Sequence, residues 1–161
     1  MNKVFTEENG CYKIDCSKAI WATDSLNHQY HSANCLLSDV DWIMETNQKI
    51  YLVEYKNANI SGAKKPEAFI PTNDKTINKV VRKFYDSLHY LSLQGKTKPL
   101  EYPNGDSASR KMIRNRLKSK LPFALQENIG NGIKLIEKVE VLSIAEWNDH
   151  KYYGEFPIQH I

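Results

Sequence analysis

The densest apolar patterning in the chain lies between Ser38 and Asn57, in the stretch SDVDWIMETNQKIYLVEYKN. Two short apolar runs, Val40 to Met44 and Ile50 to Tyr55, flank the polar group Glu45, Thr46, Asn47, Gln48 and Lys49. Runs of this length, rich in Val, Ile, Tyr and Trp and bounded by turn residues, predict the two strands of a β-hairpin. A loop of about three or four residues sets Asp41 opposite Val53 or Glu54. Side chains alternate faces along a strand, so Asp39 and Asp41 share one face, as do Glu54 and Lys56. Where those faces coincide, carboxylates and an ammonium meet at cross-strand distance. A slip of one residue separates them. Both strands are otherwise almost wholly apolar, as strands covered on both faces are. Charge is costly in such segments unless it is paired or used.

From Ile77 onward the apolar positions Val80, Val81, Phe84, Tyr85, Leu88 and Leu91 recur with helical spacing. Thr72-Asn73-Asp74 supplies capping residues for this helix and Gly95 its stop. Lys79, Arg82 and Lys83 fall on or near its polar side. A hairpin followed by a helix predicts an α/β domain, a mixed sheet flanked by helices. Leu100 to Gly105, with EYPNG in it, reads as a turn-rich connector. Ser107 to Leu121, SASRKMIRNRLKSKL, carries six cations and no acid around a narrow stripe of Met112, Ile113, Leu117 and Leu121. That predicts a helix with one strongly basic face, ended by Pro122. Gly130-Asn131-Gly132 predicts a turn, and Ile133 to Ile144 one or two strands. Lys18 to Tyr30 fits a short helix that buries Ile20, Trp21 and Leu26. The tail from Ala145 has no period. Its Trp147, Tyr152, Tyr153 and Phe156 read as core cover in preference to a base-stacking platform.

Length and composition narrow the class. A chain of 161 residues suggests one domain spanning residues 1–161, large enough for a core without staples. With 41% hydrophobic and 25% charged residues it has the composition of a soluble globular protein. No apolar run approaches the ~20 residues needed to span a bilayer. The N-terminal MNKVFTEENG has acids where a signal peptide has its apolar core, so a cytoplasmic protein without a membrane partner is expected. Three cysteines, Cys11, Cys16 and Cys35, make an odd number without a C-x-x-C pair, which suggests reduced thiols. A zinc site drawn from these with His28 and His31 does not match the spacing of a familiar finger. Gly95-Lys96-Thr97 resembles the end of a P-loop, but Tyr90 stands where a glycine is needed, and a helix precedes it.

A net charge of +3 is too mild to identify a partner, so distribution matters more. Like charges on one helix face repel unless something compensates them, and a nucleic-acid backbone would do so. Arg110, Lys111, Arg114 and Lys118 are therefore candidate nucleic-acid contacts, against the plainer alternative of a solvated face. The long stretch NANISGAKKPEAFIPTND follows the motif strand and would border a site there, which adds Lys64 and Lys65. His28 and His31, in a polar segment ahead of the first strand, are candidate phosphate contacts or proton carriers.

Two acids held together repel and raise one pKa unless a cation sits between them. A small cluster of hard oxygen donors suits Mg²⁺, which is commonly held by one or two carboxylates plus substrate phosphate. Such an ion polarises a phosphoryl oxygen and lowers the pKa of bound water. A lysine two residues after the second acid can then orient the attacking water or offset charge on phosphorus.

Asp41 followed by Glu54-Tyr55-Lys56 across a hairpin resembles the Asp…(Asp/Glu)-x-Lys signature of the PD-(D/E)xK phosphodiesterase superfamily, the restriction-endonuclease-like nucleases. The resemblance covers Leu36 to Asn57, with the following helix similar in architecture only. It implies a restriction-endonuclease-like mixed β-sheet flanked by helices, and a Mg²⁺-dependent nuclease in which Mn²⁺ can substitute. It also implies that Asp41, Glu54 and the backbone carbonyl of Tyr55 hold the metal, with Asp39 an additional candidate, while Lys56 serves the attacking water. DNA is the first candidate substrate. The chain departs from the pattern in three places. Val40 and Ser38 stand where the proline would precede the acid. The upstream helical glutamate has only Glu7 and Glu8 as candidates, without support from spacing. The Gln-x-x-x-Tyr pair of one subgroup is missing. Two other readings compete: a non-catalytic nucleic-acid-binding module on the same fold, and a protein-interaction domain whose basic helix faces an acidic protein.

Overall fold

The computed structural model describes residues 3–56, 73–105 and 110–161. Its centre is the expected hairpin. Strand β4 (Trp42–Glu45) pairs antiparallel with β5 (Ile50–Tyr55), with Trp42 opposite Val53 and Glu45 opposite Ile50. Every residue of both strands is buried. The turn between them is held by the Thr46 N–H donating to the Lys49 carbonyl at 2.8 Å.

The hairpin occupies the second and third places in a five-stranded sheet of order β3-β4-β5-β6-β7. Edge strand β3 (Trp21–Thr23) runs antiparallel to β4. β6 (Leu100–Gly105) and β7 (Ile136–Leu142) continue the sheet in parallel beyond β5. Parallel neighbours need long crossovers. Helix α2 (Asp74–Leu93) lies between β5 and β6, and α3 (Arg110–Lys120) with α4 (Phe123–Ile129) lies between β6 and β7. The α2 boundaries follow the expected signals: the Asn73 side chain accepts from the Lys75 N–H at 2.8 Å. Past the C-terminal end, Gly95 takes a φ of +66°, a left-handed turn that glycine enters without a Cβ clash.

Alternation along the hairpin divides the core. Ile43 and Leu52 face one way and pack with Ile77, Phe84 and Leu91 of α2 and Ile113 and Leu117 of α3. Trp42, Met44 and Val53 face the other way, onto Trp147, Tyr153 and Phe156. That second layer also includes Ile14 and Ile158 from a small sheet, β1 (Val4–Thr6), β2 (Tyr12–Asp15) and β8 (Ile158–His160), in the order β1-β2-β8. Trp147 comes from α5 (Ile144–Asp149), which Ser143 starts with a capping box to Glu146. The described residues thus form a mixed α/β structure with two sheets. No described helix is long and apolar enough to cross a membrane.

Several expectations are corrected. Leu100 to Gly105 is not a connector but the strand at the middle of the parallel part of the sheet. Pro103 can sit there because β5 pairs with Leu100 and Glu101, then again with Asn104 and Gly105, so that ladder passes over the residue without an N–H. Lys18 to Tyr30 is not one helix. Trp21 to Thr23 pairs with β4, Ile20 is exposed, and only α1 (Leu26–Ser32) is helical. Met112 lies outside the buried stripe of α3, and Pro122 serves as the boundary where α4 begins at once. Of the tail aromatics, Trp147, Tyr153 and Phe156 are core cover, whereas Tyr152 is exposed.

Candidate active site at the end of the hairpin

Extending the β4–β5 register one step beyond Trp42 and Val53 puts Asp41 opposite Glu54. Both then lie on the α2 side of the sheet, the face of Ile43 and Leu52. The approach to Asp41 is fixed by α2. Asp86 accepts from the Ser38 N–H at 2.7 Å, and the buried Ser87 hydroxyl accepts from the Val40 N–H at 3.1 Å. These bonds satisfy backbone donors that have no ladder partner and hold the strand entry against the helix. Asp41 itself accepts from the Tyr55 N–H at 2.6 Å through Oδ2, a direct tie between the two strands at the motif.

Glu54 is 1% exposed and is surrounded by cations. Lys56 lies 2.8 Å from Oε1. Lys83, from α2, donates to both oxygens at 2.9 Å and stands 3.7 Å from Asp41 Oδ1. The expected group of Asp41, Glu54 and Lys56 is therefore together, and Lys83, expected on or near the polar side of α2, instead joins it as a fourth member. Its signal was present. Val80, Lys83 and Ser87 follow the i, i+3, i+7 line of a buried helix face, so a lysine there points inward.

The electrostatics of the two acids differ. Burial pushes the Asp41 carboxyl up, and the neighbouring Glu54 charge adds to it. Lys83, Lys56 and the Tyr55 N–H pull it back only partly, leaving it at about 6. Its side chain keeps 31% exposure to the solvent of the cleft in which it lies deep. For Glu54, burial also raises the pKa, but the charges and hydrogen bonds of Lys56 and Lys83 outweigh it and hold the group below its ordinary value. Burial lowers the Lys56 pKa, yet Glu54 and Asp41 raise it above the ordinary lysine value, so this ammonium stays protonated.

The site opens into a cleft of about 780 Å³. Its wall includes Glu7 and Glu8, His31, Asp39 and Lys79 alongside Asp41 and Lys83. Asp39 lines the cleft and accepts from the Asn27 amide at 3.0 Å. Glu7 is spent on a turn, accepting from the Asn9 and Cys11 N–H groups at 2.8 and 2.7 Å. Neither it nor Glu8 sits on a helix. His31 reaches the cleft wall and His28 does not. The thiols of Cys11, Cys16 and Cys35 are free, and among the described residues no group of three or more His, Cys, Asp or Glu side chains gathers at metal-ligand spacing.

Much of the basic face of α3 is compensated within the protein. Arg110 pairs with Glu146 at 3.0 Å, Arg114 lies 3.6 Å from Glu140, and Arg116 bonds Asp74. Lys118 lies over the Phe123 ring, and Lys111 is exposed. The Tyr55–Gly105 pairing places the end of β6 at the site end of the sheet, and α3 starts after residues 106–109. Lys64 and Lys65 lie outside the described residues.

No protein-family model, curated protein or solved structure matches the chain.

Proposed function

We propose that the protein is a metal-dependent nuclease of the restriction-endonuclease-like kind, hydrolysing phosphodiester bonds of nucleic acid, with DNA as the first candidate. One observation carries this reading: Asp41, Glu54 and Lys56 converge on one side of the hairpin, with Asp41 and Lys56 lining a polar cleft. The donor set fits Mg²⁺. The carboxylates of Asp41 and Glu54 and the carbonyl of Tyr55 are hard oxygens, and a cation, the Lys83 ammonium, already lies against both acids. The raised pKa of Asp41 comes first from burial and then from the Glu54 charge beside it, and a cation between the two acids offsets the second cause.

Asp41, Glu54 and the Tyr55 carbonyl would hold the ion, and a bound Mg²⁺ supplies Lewis acidity toward a phosphoryl oxygen. Lys56, kept protonated by its neighbours, is a donor rather than a base. It orients the attacking water or offsets negative charge on the phosphoryl oxygens. Asp39 borders the cleft, where it can bind through water. The cations of α3 would meet the nucleic-acid backbone at the same end of the sheet. The test is cleavage of single- and double-stranded DNA and RNA with Mg²⁺ or Mn²⁺; hydrolysis of none of them would end the nuclease reading.

A second reading has its own support. Both Glu54 oxygens are engaged by lysines, which suits a nucleic-acid-binding or protein-interaction domain that keeps this arrangement for stability. Salt dependence separates these partners. Neutralising Arg110, Lys111, Arg114 and Lys118 together should weaken nucleic-acid binding and flatten the slope of log K against log salt, because fewer counterions are released. Arg110 and Arg114 already have acidic partners, so the change in slope should be less than about four charges' worth. An unchanged slope would leave α3 as a solvated face, and binding without salt dependence would favour a protein partner.

A further inference from the structure

The metal reading above leaves one residue unaccounted for, and this inference rests on that reading. Glu54 already has a close counter-ion in Lys56 at 2.8 Å. Lys83 brings a second ammonium, 2.9 Å from each Glu54 oxygen and 3.7 Å from Asp41 Oδ1. That is the place from which a single cation touches both acids. A divalent ion bound to the same oxygens would lie about 2 Å from them, too close to an ammonium that keeps this position. The two cations cannot share the seat.

We propose that Lys83 occupies the divalent-cation seat of the metal-free protein and must be displaced for a hard divalent ion to bind. The fold allows the exchange. The α2 backbone at Lys83 is anchored by the buried Val80, Phe84 and Ser87, so displacement needs only rotation of a long, flexible side chain. Lys83 also lines the cleft, so the ammonium has open space to enter. Lys79, four residues earlier on the helix, lines that cleft too, so the displaced ammonium joins it on a wall that faces an incoming phosphate. Lys83 thus compensates the acid pair when no metal is bound and becomes a phosphate contact when one is. It also selects for high charge: a monovalent ion offers no gain over the ammonium, whereas a divalent ion does.

The experiment is Mn²⁺ binding, measured by titration calorimetry and by the electron-paramagnetic-resonance signal of free Mn²⁺, without nucleic acid. The variants are Lys83→Met, Lys83→Arg and Asp41→Asn, with circular dichroism confirming that each is folded. Removing the resident charge in Lys83→Met should tighten Mn²⁺ binding by about tenfold or more, as expected when a like charge beside the ion is deleted. Lys83→Arg should stay within a few-fold of the wild type, and Asp41→Asn should lose binding. Should Lys83→Met fail to fold, Lys83→Gln carries the same expectation. If the wild type binds Mn²⁺ through Asp41 but Lys83→Met binds equally or more weakly, the displacement idea is overturned while the metal site stands. If neither the wild type nor Lys83→Met binds Mn²⁺, the metal reading falls and takes this inference with it.

Discussion

Glu54→Gln should destabilise the protein by about 3–5 kcal/mol at neutral pH, the scale of breaking a buried ion pair by removing one partner. Glu54 is almost wholly buried and receives two ammonium groups, so glutamine leaves both lysines beside a neutral amide. Both can turn toward the cleft, which favours the lower end of that range. The pH dependence has a definite sign. The folded-state pKa of Glu54 is depressed, so its contribution is present above the ordinary glutamate value and is lost as pH falls through the lower folded value. The gap between wild type and Glu54→Gln should therefore close in acid. Asp41→Asn should behave oppositely in metal-free buffer. The Asp41 pKa is raised to about 6 from 3.8, so ionising it opposes folding above that range and has no effect below pH 3.8. The asparagine variant should match or exceed the wild type in Tm at pH 7.5 and lose any advantage near pH 4. Urea or thermal unfolding across pH checks both. A Glu54→Gln variant as stable as the wild type would show that the lysines do not hold this acid in its charged form.

Turnover gives the second large effect. Lys56→Ala and Asp41→Asn should each lower hydrolysis by something like 10²-fold or more, the scale of deleting one charge-stabilising group at a reacting centre. These two variants are cleaner than Glu54→Gln, whose stability loss would confuse the reading. They should fail differently: in the proposed mechanism Asp41→Asn would lose a metal donor, whereas Lys56→Ala would keep both carboxylates and lose the group that assists the water. Affinity for uncleaved nucleic acid without metal should hold level in Lys56→Ala or fall slightly. In Asp41→Asn it should hold level or rise slightly, because a carboxylate repels phosphate. Activity that persists in both variants would belong to another site or a contaminant.

The hairpin was legible because two independent patterns agree there: β-branched and aromatic runs set the strands, and polar residues set the turn. The same alternation set Asp39 with Asp41 and Glu54 with Lys56, but whether the two pairs share a face turned on a register that only the Trp42–Val53 pairing decides. Lys83 was obscured because amphipathic reasoning assigns lysines to the polar side of a helix, and only the line through Val80 and Ser87 argues otherwise. Strand β6 was misread for a local reason. Tyr102-Pro103-Asn104-Gly105 has the residues of a turn, and only its pairing on both sides with β5 and β7 makes it a strand. The small sheet eluded pattern reading because its strands are three or four residues long and β8 comes from the far end of the chain. The α3 charges were legible as a cluster, but their acidic partners Glu140, Glu146 and Asp74 come from β7, α5 and α2, which no local window contains.

Anomalous scattering from crystals soaked in Mn²⁺ would show whether an ion sits between the two acids. One ion is expected between Asp41 and Glu54, about 2.1 Å from an oxygen of each, with the Lys83 ammonium withdrawn into the cleft. Clear density for Lys83 still bridging the two acids, with no ion beside Asp41 at saturating Mn²⁺, would contradict that expectation.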